Sequence, residues 1–137
     1  MQAIGAIKQK QGHFNKALKY FQSTLHIYNY SSKSNPSLIA FCLFSIGVIF
    51  REQNKYNEAH DKFEEALRFQ QDSSSHNYDL LAKIHNNLSM IFEHLVDYEH
   101  AIEHAREALE IATNIIESNH DQTEMYQNNL NKLYQKK

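Results

Sequence analysis

The strongest constraint on this chain is an internal repeat, because its 137 residues superimpose on themselves three times at a fixed offset of 42 residues. One register places an apolar residue before a small or polar one, at Ile4-Gly5, Ile46-Gly47, Leu88-Ser89 and Leu130-Asn131. A second register aligns an aromatic residue, an alanine and a leucine in three successive copies: Phe14, Tyr56 and Tyr98; Ala17, Ala59 and Ala101; Leu25, Leu67 and Leu109. Such a period predicts a stack of similar units, each burying its apolar face against its neighbours.

Within each unit, apolar residues recur at steps of three and four, which predicts two amphipathic helices per unit. Asn35, Asn77 and Asn119 coincide in register, and each is followed two residues later by Ser37, Asp79 or Asp121, which are residue types that cap helix N-termini. Only three glycines and one proline occur, too few for an all-β protein. The sequence therefore predicts an all-α solenoid with helices at about 1–11, 14–29, 37–53, 56–70, 79–95, 98–117 and 122–136, in units 1–34, 35–76, 77–118 and 119–137.

Small residues recur where the two helices of a unit must approach each other closely. They are Gly5, Gly47, Ser89, Ala17, Ala59 and Ala101. We expect a large Phe or Tyr beside each of them to fill the remaining space, as close packing requires.

Composition excludes several classes of partner. The net charge of −2, from 14 basic and 16 acidic residues in a well-mixed order, leaves no extended positive field for nucleic acid. The most apolar run, Leu38–Phe50, is too short to span a bilayer and predicts a buried helix that contains the single cysteine, Cys42. No secretory signal opens the chain, so we expect a cytoplasmic protein.

No pattern in the sequence predicts catalysis, a cofactor or a metal site. His100 and His104 lie one helical turn apart, but the spacing lacks the glutamate that a zinc helix places directly after its first histidine. We expect both histidines to face solvent. There is no glycine-rich phosphate loop and no distinct Ser, His and Asp arrangement.

The second unit reads Ile46-Gly47-x-x-Phe50, Asn54-Lys55-Tyr56 and Ala59-x-x-x-Phe63-x-x-Ala66, and so resembles the tetratricopeptide repeat. That resemblance implies a right-handed superhelical solenoid of antiparallel helix hairpins. A spacing of 42 residues departs from the usual 34 and is similar to the longer variety in kinesin light chains and nephrocystin-like proteins. The phrase Asn86-Asn87-Leu88-Ser89-Met90-Ile91-Phe92 resembles light-chain repeats in the same way.

The resemblance also implies a peptide-binding groove, lined by the first helix of each unit. The groove residues it implies are Phe44, Val48, Arg51, Lys83, Asn86, Met90, Glu93, Asn128 and Lys132. The resemblance also implies Phe41 as a groove-facing position. The alternative for Phe41 and Phe44 is packing against the preceding hairpin, and Asn86 or Asn87 could be a plain surface residue. Gln2 and Ala6 stand where a chaperone-binding carboxylate clamp needs Lys and Asn, which disfavours that ligand.

The predicted function is a non-enzymatic scaffold that binds a protein or peptide, with kinesin heavy chain or a cargo adaptor as the partner implied by the resemblance. An alternative is a regulatory or docking portion of an enzyme whose catalytic domain lies outside this chain. A third reading is a structural array that orders larger domains. Because the first unit starts late in its register, we expect a fragment of a longer protein.

Overall fold

The computed structural model describes residues 2–30, 35–72, 77–114 and 120–137. The described residues form six α-helices and no strand: α1 (Gln2–Tyr30), α2 (Pro36–Glu52), α3 (Tyr56–Asp72), α4 (Tyr78–His94), α5 (Tyr98–Asn114) and α6 (His120–Lys136). Helices α2, α4 and α6 begin 42 residues apart, as do α3 and α5. The all-α prediction is confirmed, and the helix bounds agree to within a few residues from Asn35 onward.

Asparagine side chains begin α2 and α4. Asn35 and Asn77 have extended backbones, and their Oδ1 atoms accept from the amides of Leu38 and Leu80 at 3.2 and 3.1 Å. The caps are thus these asparagines rather than Ser37 and Asp79, because the cap side chain must reach the amide three positions later. The equivalent Asn119 and the predicted helix end at 115–117 lie outside the described residues.

Two tight turns close the hairpins α2–α3 and α4–α5. Asn54 and Val96 adopt positive φ angles of 63° and 61°. After each of them an amide bonds back to a carbonyl five residues earlier, Lys55 to Phe50 and Asp97 to Phe92, both at 2.8 Å. These bonds satisfy helix-end carbonyls that would otherwise lack a partner.

The predicted break between helices 1–11 and 14–29 was wrong, because α1 runs without interruption from Gln2 to Tyr30. Gly12 stands in register with Asn54 but has no positive φ. A glycine permits a left-handed turn without requiring one. A continuous helix keeps its i to i−4 hydrogen bonds, whereas a turn loses several of them and must recover that free energy from packing between two helices.

The core lies between the stacked helices. One cluster joins α2, α3 and α4 through buried residues that include Leu43, Phe63, Ile84 and Leu88. Two further clusters join α4 and α5 to α6, around Tyr126 and around Leu130 and Leu133. Cys42 is buried as predicted, and burial raises the pKa of its thiol.

In the α2–α3 and α4–α5 hairpins, the two helices approach each other closely at the small residues. A Cβ placed on Gly47 would lie 2.8 Å from Cε1 of Phe63, so the aromatic ring fills the space that glycine leaves. Ser89 stands in register with Gly47, and its hydroxyl donates to the carbonyl of Ala101 at 2.8 Å. Ala59 and Ala101 are fully buried at these crossings.

Candidate functional site

The candidate site is a groove between the C-terminal halves of α2 and α4 and the facing side of α6. A cavity of about 580 Å³ is lined by Arg51, Glu52, Asn54, Tyr56, Met90, Glu93, His94 and Lys136. A second cavity of about 250 Å³ is lined by Asn86, Ser89, Met90, Glu93, Asn129, Lys132, Leu133 and Lys136. The two cavities share Met90, Glu93 and Lys136, so they form one continuous depression, called the groove below.

Met90 lies at the centre of the groove. Its thioether sulfur accepts from Nη1 of Arg51 at 3.3 Å and has Nδ2 of Asn86 at 3.8 Å, while 39% of the residue stays exposed. A flexible, polarisable thioether adapts to differently shaped apolar groups. The groove thus has an apolar centre flanked by donors from two helices.

A polar ladder of three contacts joins the parallel helices α4 and α6. Gln122 Nε2 donates to Asp79 Oδ1 at 3.3 Å, Asn129 Nδ2 donates to Asn86 Oδ1 at 3.1 Å, and Lys136 pairs with Glu93. The members of the ladder are seven residues apart on each helix, which is about two turns, so all three contacts fall on facing sides. The ladder fixes the position of α6 beside α4 along one wall of the groove.

Most charged side chains in the groove have a partner of opposite charge. Arg51 Nη2 lies 3.0 Å from Oε1 of Glu52, and the hydrogen bond to Glu93 raises the pKa of Lys136. Lys132 is exposed and makes no hydrogen bond or ion pair with the residues that the structure describes.

One donor at the wall of the groove lacks an acceptor. The Nε of Arg51 is buried, and no acceptor lies within hydrogen-bond distance of it in the described part of the chain. An unmet buried donor is costly, and because this atom is covered, an acceptor could reach it only after the Arg51 side chain moves.

Five of the residues predicted from sequence line the groove together: Arg51, Asn86, Met90, Glu93 and Lys132. Phe44 and Val48 pack against the core instead, with the Phe44 ring centroid 5.8 Å from that of Phe63. Lys83 pairs with Asp79 at 3.0 Å near the start of α4 and holds the pKa of that carboxyl below its usual range. Asn128 is exposed and lines neither cavity.

The sequence did not predict the other eight residues that line the groove, which are Glu52, Asn54, Tyr56, Ser89, His94, Asn129, Leu133 and Lys136. Asn129, one position after Asn128, is the amide that bonds to Asn86, so the contact offset between α4 and α6 is 43 residues and not 42. Tyr56 and His94 stack with ring centroids 3.8 Å apart. Only the first helix of each unit was expected to contribute, and Tyr56 begins the second.

The sequence also did not predict a pair of histidines that lies between α4 and α5. Nδ1 of His85 lies 3.0 Å from Nδ1 of His104, and the His104 ring stacks on Phe92. His104 is half-buried, so the expectation that it faces solvent was wrong, whereas His100 is exposed. The available signal was the register, because His85 stands 42 residues after the buried Leu43.

Burial sets the protonation of this pair. It lowers the pKa of His104 to about 4, with the neighbouring His85 acting in the same direction, and it lowers the pKa of His85 as well. Both rings are therefore neutral at pH 7, when one nitrogen can donate to the other. Among the described residues, no three or more His, Cys, Asp or Glu side chains are placed to hold a metal ion.

None of the helices in the described part of the chain combines the length and apolar character that crossing a bilayer requires. What the described residues present is a stack of helix hairpins with a groove of mixed apolar and polar lining. This arrangement defines a helical-repeat protein.

Comparison with known proteins identifies the repeat. Family profiles described as tetratricopeptide repeat match residues 1–72 and again residues 82–115. The chain therefore belongs to the tetratricopeptide repeat family, whose members generally mediate protein–protein interaction and are typically non-catalytic scaffolds.

The solved structure of BtubC (BKLC) from P. vanneervenii is similar, with a TM-score of 0.82 and 26% sequence identity. The alignment covers 95% of this chain and 51% of that one, so the chain spans about half the length of BtubC. No curated protein matches the chain by sequence.

Proposed function

We propose that this chain is an interaction module that holds an extended peptide segment of a partner protein in the groove, without chemistry of its own. The observation that carries the proposal is the centre of the groove, where the exposed side chain of Met90 lies between the polar side chains of Arg51 and Asn86. A peptide backbone offers carbonyl acceptors at regular spacing, and its side chains need adaptable apolar contacts.

The proposed contact residues are Arg51, Asn86, Met90, Glu93, Asn129, Lys132 and Lys136. Asn86 and Asn129 bond to each other in the empty groove, and each amide retains further donor and acceptor capacity for a peptide. Lys132 offers an uncommitted cation. Phe44 and Val48 pack against the core, and Lys83 and Asn128 line neither cavity.

The finer proposal is a cytoplasmic module that resembles the repeats of a kinesin light chain, with units 35–76 and 77–118 as its repeating blocks. The support is the Asn86–Phe92 phrase and the spacing of 42 residues between equivalent helices. The partner would then be a cargo adaptor or a kinesin heavy chain.

The groove is tested by selecting binders from a random peptide library and measuring their affinity for two matched variants. Met90→Glu removes the adaptable apolar contact at the groove centre and places a carboxylate beside Arg51, where it occupies that donor, so it should weaken a selected peptide by about tenfold or more. Met125→Glu makes the same change at a methionine of similar exposure, 45%, that lines neither cavity, and should leave affinity unchanged. Equal affinities of the two variants, with unchanged helicity, would contradict the proposal.

A second pair of variants distinguishes Asn129 from its neighbour Asn128 in α6. Asn86→Ala combined with Asn129→Ala should weaken the peptide, whereas Asn86→Ala combined with Asn128→Ala should weaken it less, because Asn128 lies outside the groove. Fluorescence polarisation with a labelled selected peptide measures both. The reverse order would place the contact on the Asn128 side of α6.

A further inference from the structure

We propose that Met90 is a site of reversible oxidation by peroxide, and that its sulfoxide closes the centre of the groove to a peptide. The oxidation depends only on the surroundings of the sulfur, whereas its effect on binding rests on the proposed function. The site consists of the Met90 thioether and two donors, Nη1 of Arg51 and Nδ2 of Asn86.

Peroxide has access to Met90 from the groove. The residue is 39% exposed and lines both cavities that form the groove. Cys42, the single cysteine, is 1% exposed, and burial raises the pKa of its thiol. Because the thiolate is the reactive form of cysteine, Cys42 is protected from peroxide, whereas a thioether needs no deprotonation before it reacts.

Arg51 holds one side of the Met90 sulfur. Its Nη2 lies 3.0 Å from Oε1 of Glu52, which orients the guanidinium, and its Nη1 donates to the sulfur at 3.3 Å. A thioether sulfur has two lone pairs, and oxygen transfer to one or the other gives one or the other sulfoxide epimer. Since the bond from Arg51 occupies one lone pair, the oxygen is transferred to the other, and one epimer predominates.

The oxygen transfer balances with peroxide as the sole reactant. The free lone pair of the sulfur attacks one oxygen of hydrogen peroxide, so that an S–O bond forms and the O–O bond breaks. The proton on the transferred oxygen passes to the departing hydroxide, which leaves as water. Sulfur is oxidised by two electrons and the peroxide is reduced by two. A sulfoxide reductase reverses the change with two thiols, which become a disulfide as water is released.

The two donors suit the sulfoxide better than they suit the thioether. Nδ2 of Asn86 lies 3.8 Å from the sulfur, which is long for a hydrogen bond but leaves it within reach of an oxygen attached to that sulfur. A thioether is a weak acceptor, and a sulfoxide oxygen is a polar one. Arg51 and Asn86 are therefore both occupied by the sulfoxide. A peptide then loses two donors and the adaptable apolar contact at the same place.

Met125 is the matched control within the chain. It is 45% exposed and lines neither cavity of the groove. Among the residues that the structure describes, none donates a hydrogen bond to its sulfur. We therefore expect peroxide to oxidise Met125 to both epimers in similar amounts, with no effect on a peptide in the groove.

Counting the epimers tests the modification without any peptide. The folded protein is treated with hydrogen peroxide and then unfolded, and portions are incubated with one or the other of the two stereospecific sulfoxide reductases, each of which reduces a single epimer. Mass spectrometry measures the sulfoxide that remains at each methionine. We expect one epimer to exceed the other by about threefold or more at Met90, and an even mixture at Met125 and at Met90 of Arg51→Ala.

Three results of the epimer count would overturn the site. Equal epimers at Met90 in the wild type would show that Arg51 does not direct the transfer, and a bias that persists in Arg51→Ala would show the same. Absence of sulfoxide at Met90 while Met125 is oxidised would show that peroxide does not reach the groove centre.

The effect on binding is measured with a library-selected peptide that contains neither Met nor Cys, added after the peroxide is removed. In Met125→Leu, which keeps Met90, oxidation should weaken the peptide by about tenfold, and a mixture of both reductases should restore its affinity. In Met90→Leu, which keeps Met125, the affinities before and after peroxide should be equal. Met1 is present in both variants, so its oxidation does not distinguish them.

Unchanged affinity in Met125→Leu, with Met90 fully converted to sulfoxide, would overturn the closure of the groove. A library that yields no peptide for the groove would contradict the proposed function instead. The epimer count would still decide whether Met90 is the oxidation site.

Discussion

Side-chain size at a single register position controls how closely the helices of a hairpin approach. In the α2–α3 hairpin, Gly47 leaves room for the Phe63 ring, and Ala59 is fully buried at the same crossing. There is no free volume there for a larger residue, because interiors pack to nearly crystalline density.

Ala59→Leu should therefore lower the free energy of unfolding by about 1–3 kcal/mol through overpacking. Urea denaturation followed by circular dichroism measures the change. Glu58→Leu, at the exposed neighbouring position, is the control and should change stability little. An unchanged midpoint of urea denaturation for Ala59→Leu would contradict the hairpin packing.

The His85–His104 pair gives the fold a dependence on pH. The pKa of His104 is about 4 in the folded state and 6.5 ordinarily, mainly because burial disfavours the charged ring. Above about pH 6.5 the His104 ring is neutral in both the folded and the unfolded chain. As pH falls from 6.5 towards 4, the ring takes up a proton in the unfolded chain but stays neutral in the folded one. Stability is therefore lost across this window. Glu64 and Glu103 act in the opposite sense and are outweighed.

We expect wild type to lose about 1–2 kcal/mol between pH 7 and pH 4.5, a value reduced for the partial exposure of the ring. His104→Gln should lose less over the same range in urea denaturation. His120→Gln removes a histidine whose side chain is 91% exposed and should behave as wild type. Identical pH profiles for wild type and His104→Gln would contradict the assignment.

At the scale of elements, the asparagine caps decide where the first helix of each unit begins. Asn35 and Asn77 each satisfy one amide that the helix itself leaves without a partner. Pro36 follows directly at the first helical position of α2, where its missing N–H costs nothing.

Asn77→Ala should destabilise the protein by about 1 kcal/mol, since the amide of Leu80 loses its acceptor. Thermal unfolding measures the loss. Asn57→Ala, an exposed position inside the first turn of α3, is the matched control and should be neutral or slightly stabilising. If the two variants lost the same stability, the cap would have no special role.

At the scale of the whole molecule, each helix packs on its neighbours along the chain and the array has no single centre. Tyr126 of α6 is 1% exposed and fills the cluster with Ile111 and Ala112 of α5. The cluster around Phe63 in α2, α3 and α4 shares no residue with it. Such arrays lose structure locally, because each interface contributes its own stability.

Tyr126→Ala should expose the amides of α6 to hydrogen exchange, while α2 and α3 keep their protection. Truncation of a buried aromatic residue costs about 3–5 kcal/mol, more than a terminal helix can retain. Tyr134→Ala, at a residue 44% exposed, should have a smaller effect. A uniform loss of protection from α2 to α6 would show a single cooperative unit instead.

Much of the fold could be predicted because the period repeats the same local signals. Equivalent positions have the same role in successive units. Asn35 and Asn77 cap helices, and close helix crossings lie at Gly47 and Ser89 and at Ala59 and Ala101. The groove was predicted in part: the family resemblance implied Arg51, Met90 and Glu93, whereas Asn129 was missed because α6 is offset from α4 by one additional residue at the ladder.

The sequence by itself determined the repeat, the all-α class and the small residues at the crossings, because these depend on local chemistry repeated every 42 residues. Only the tertiary structure decided that Phe44 supports the core, that His85 pairs with His104, and that Gly12 continues a helix. The physical reason is that these outcomes depend on which surfaces cover each other across different helices. A repeat fixes the contacts inside each unit, while the contacts of a terminal helix depend on the neighbour it finds.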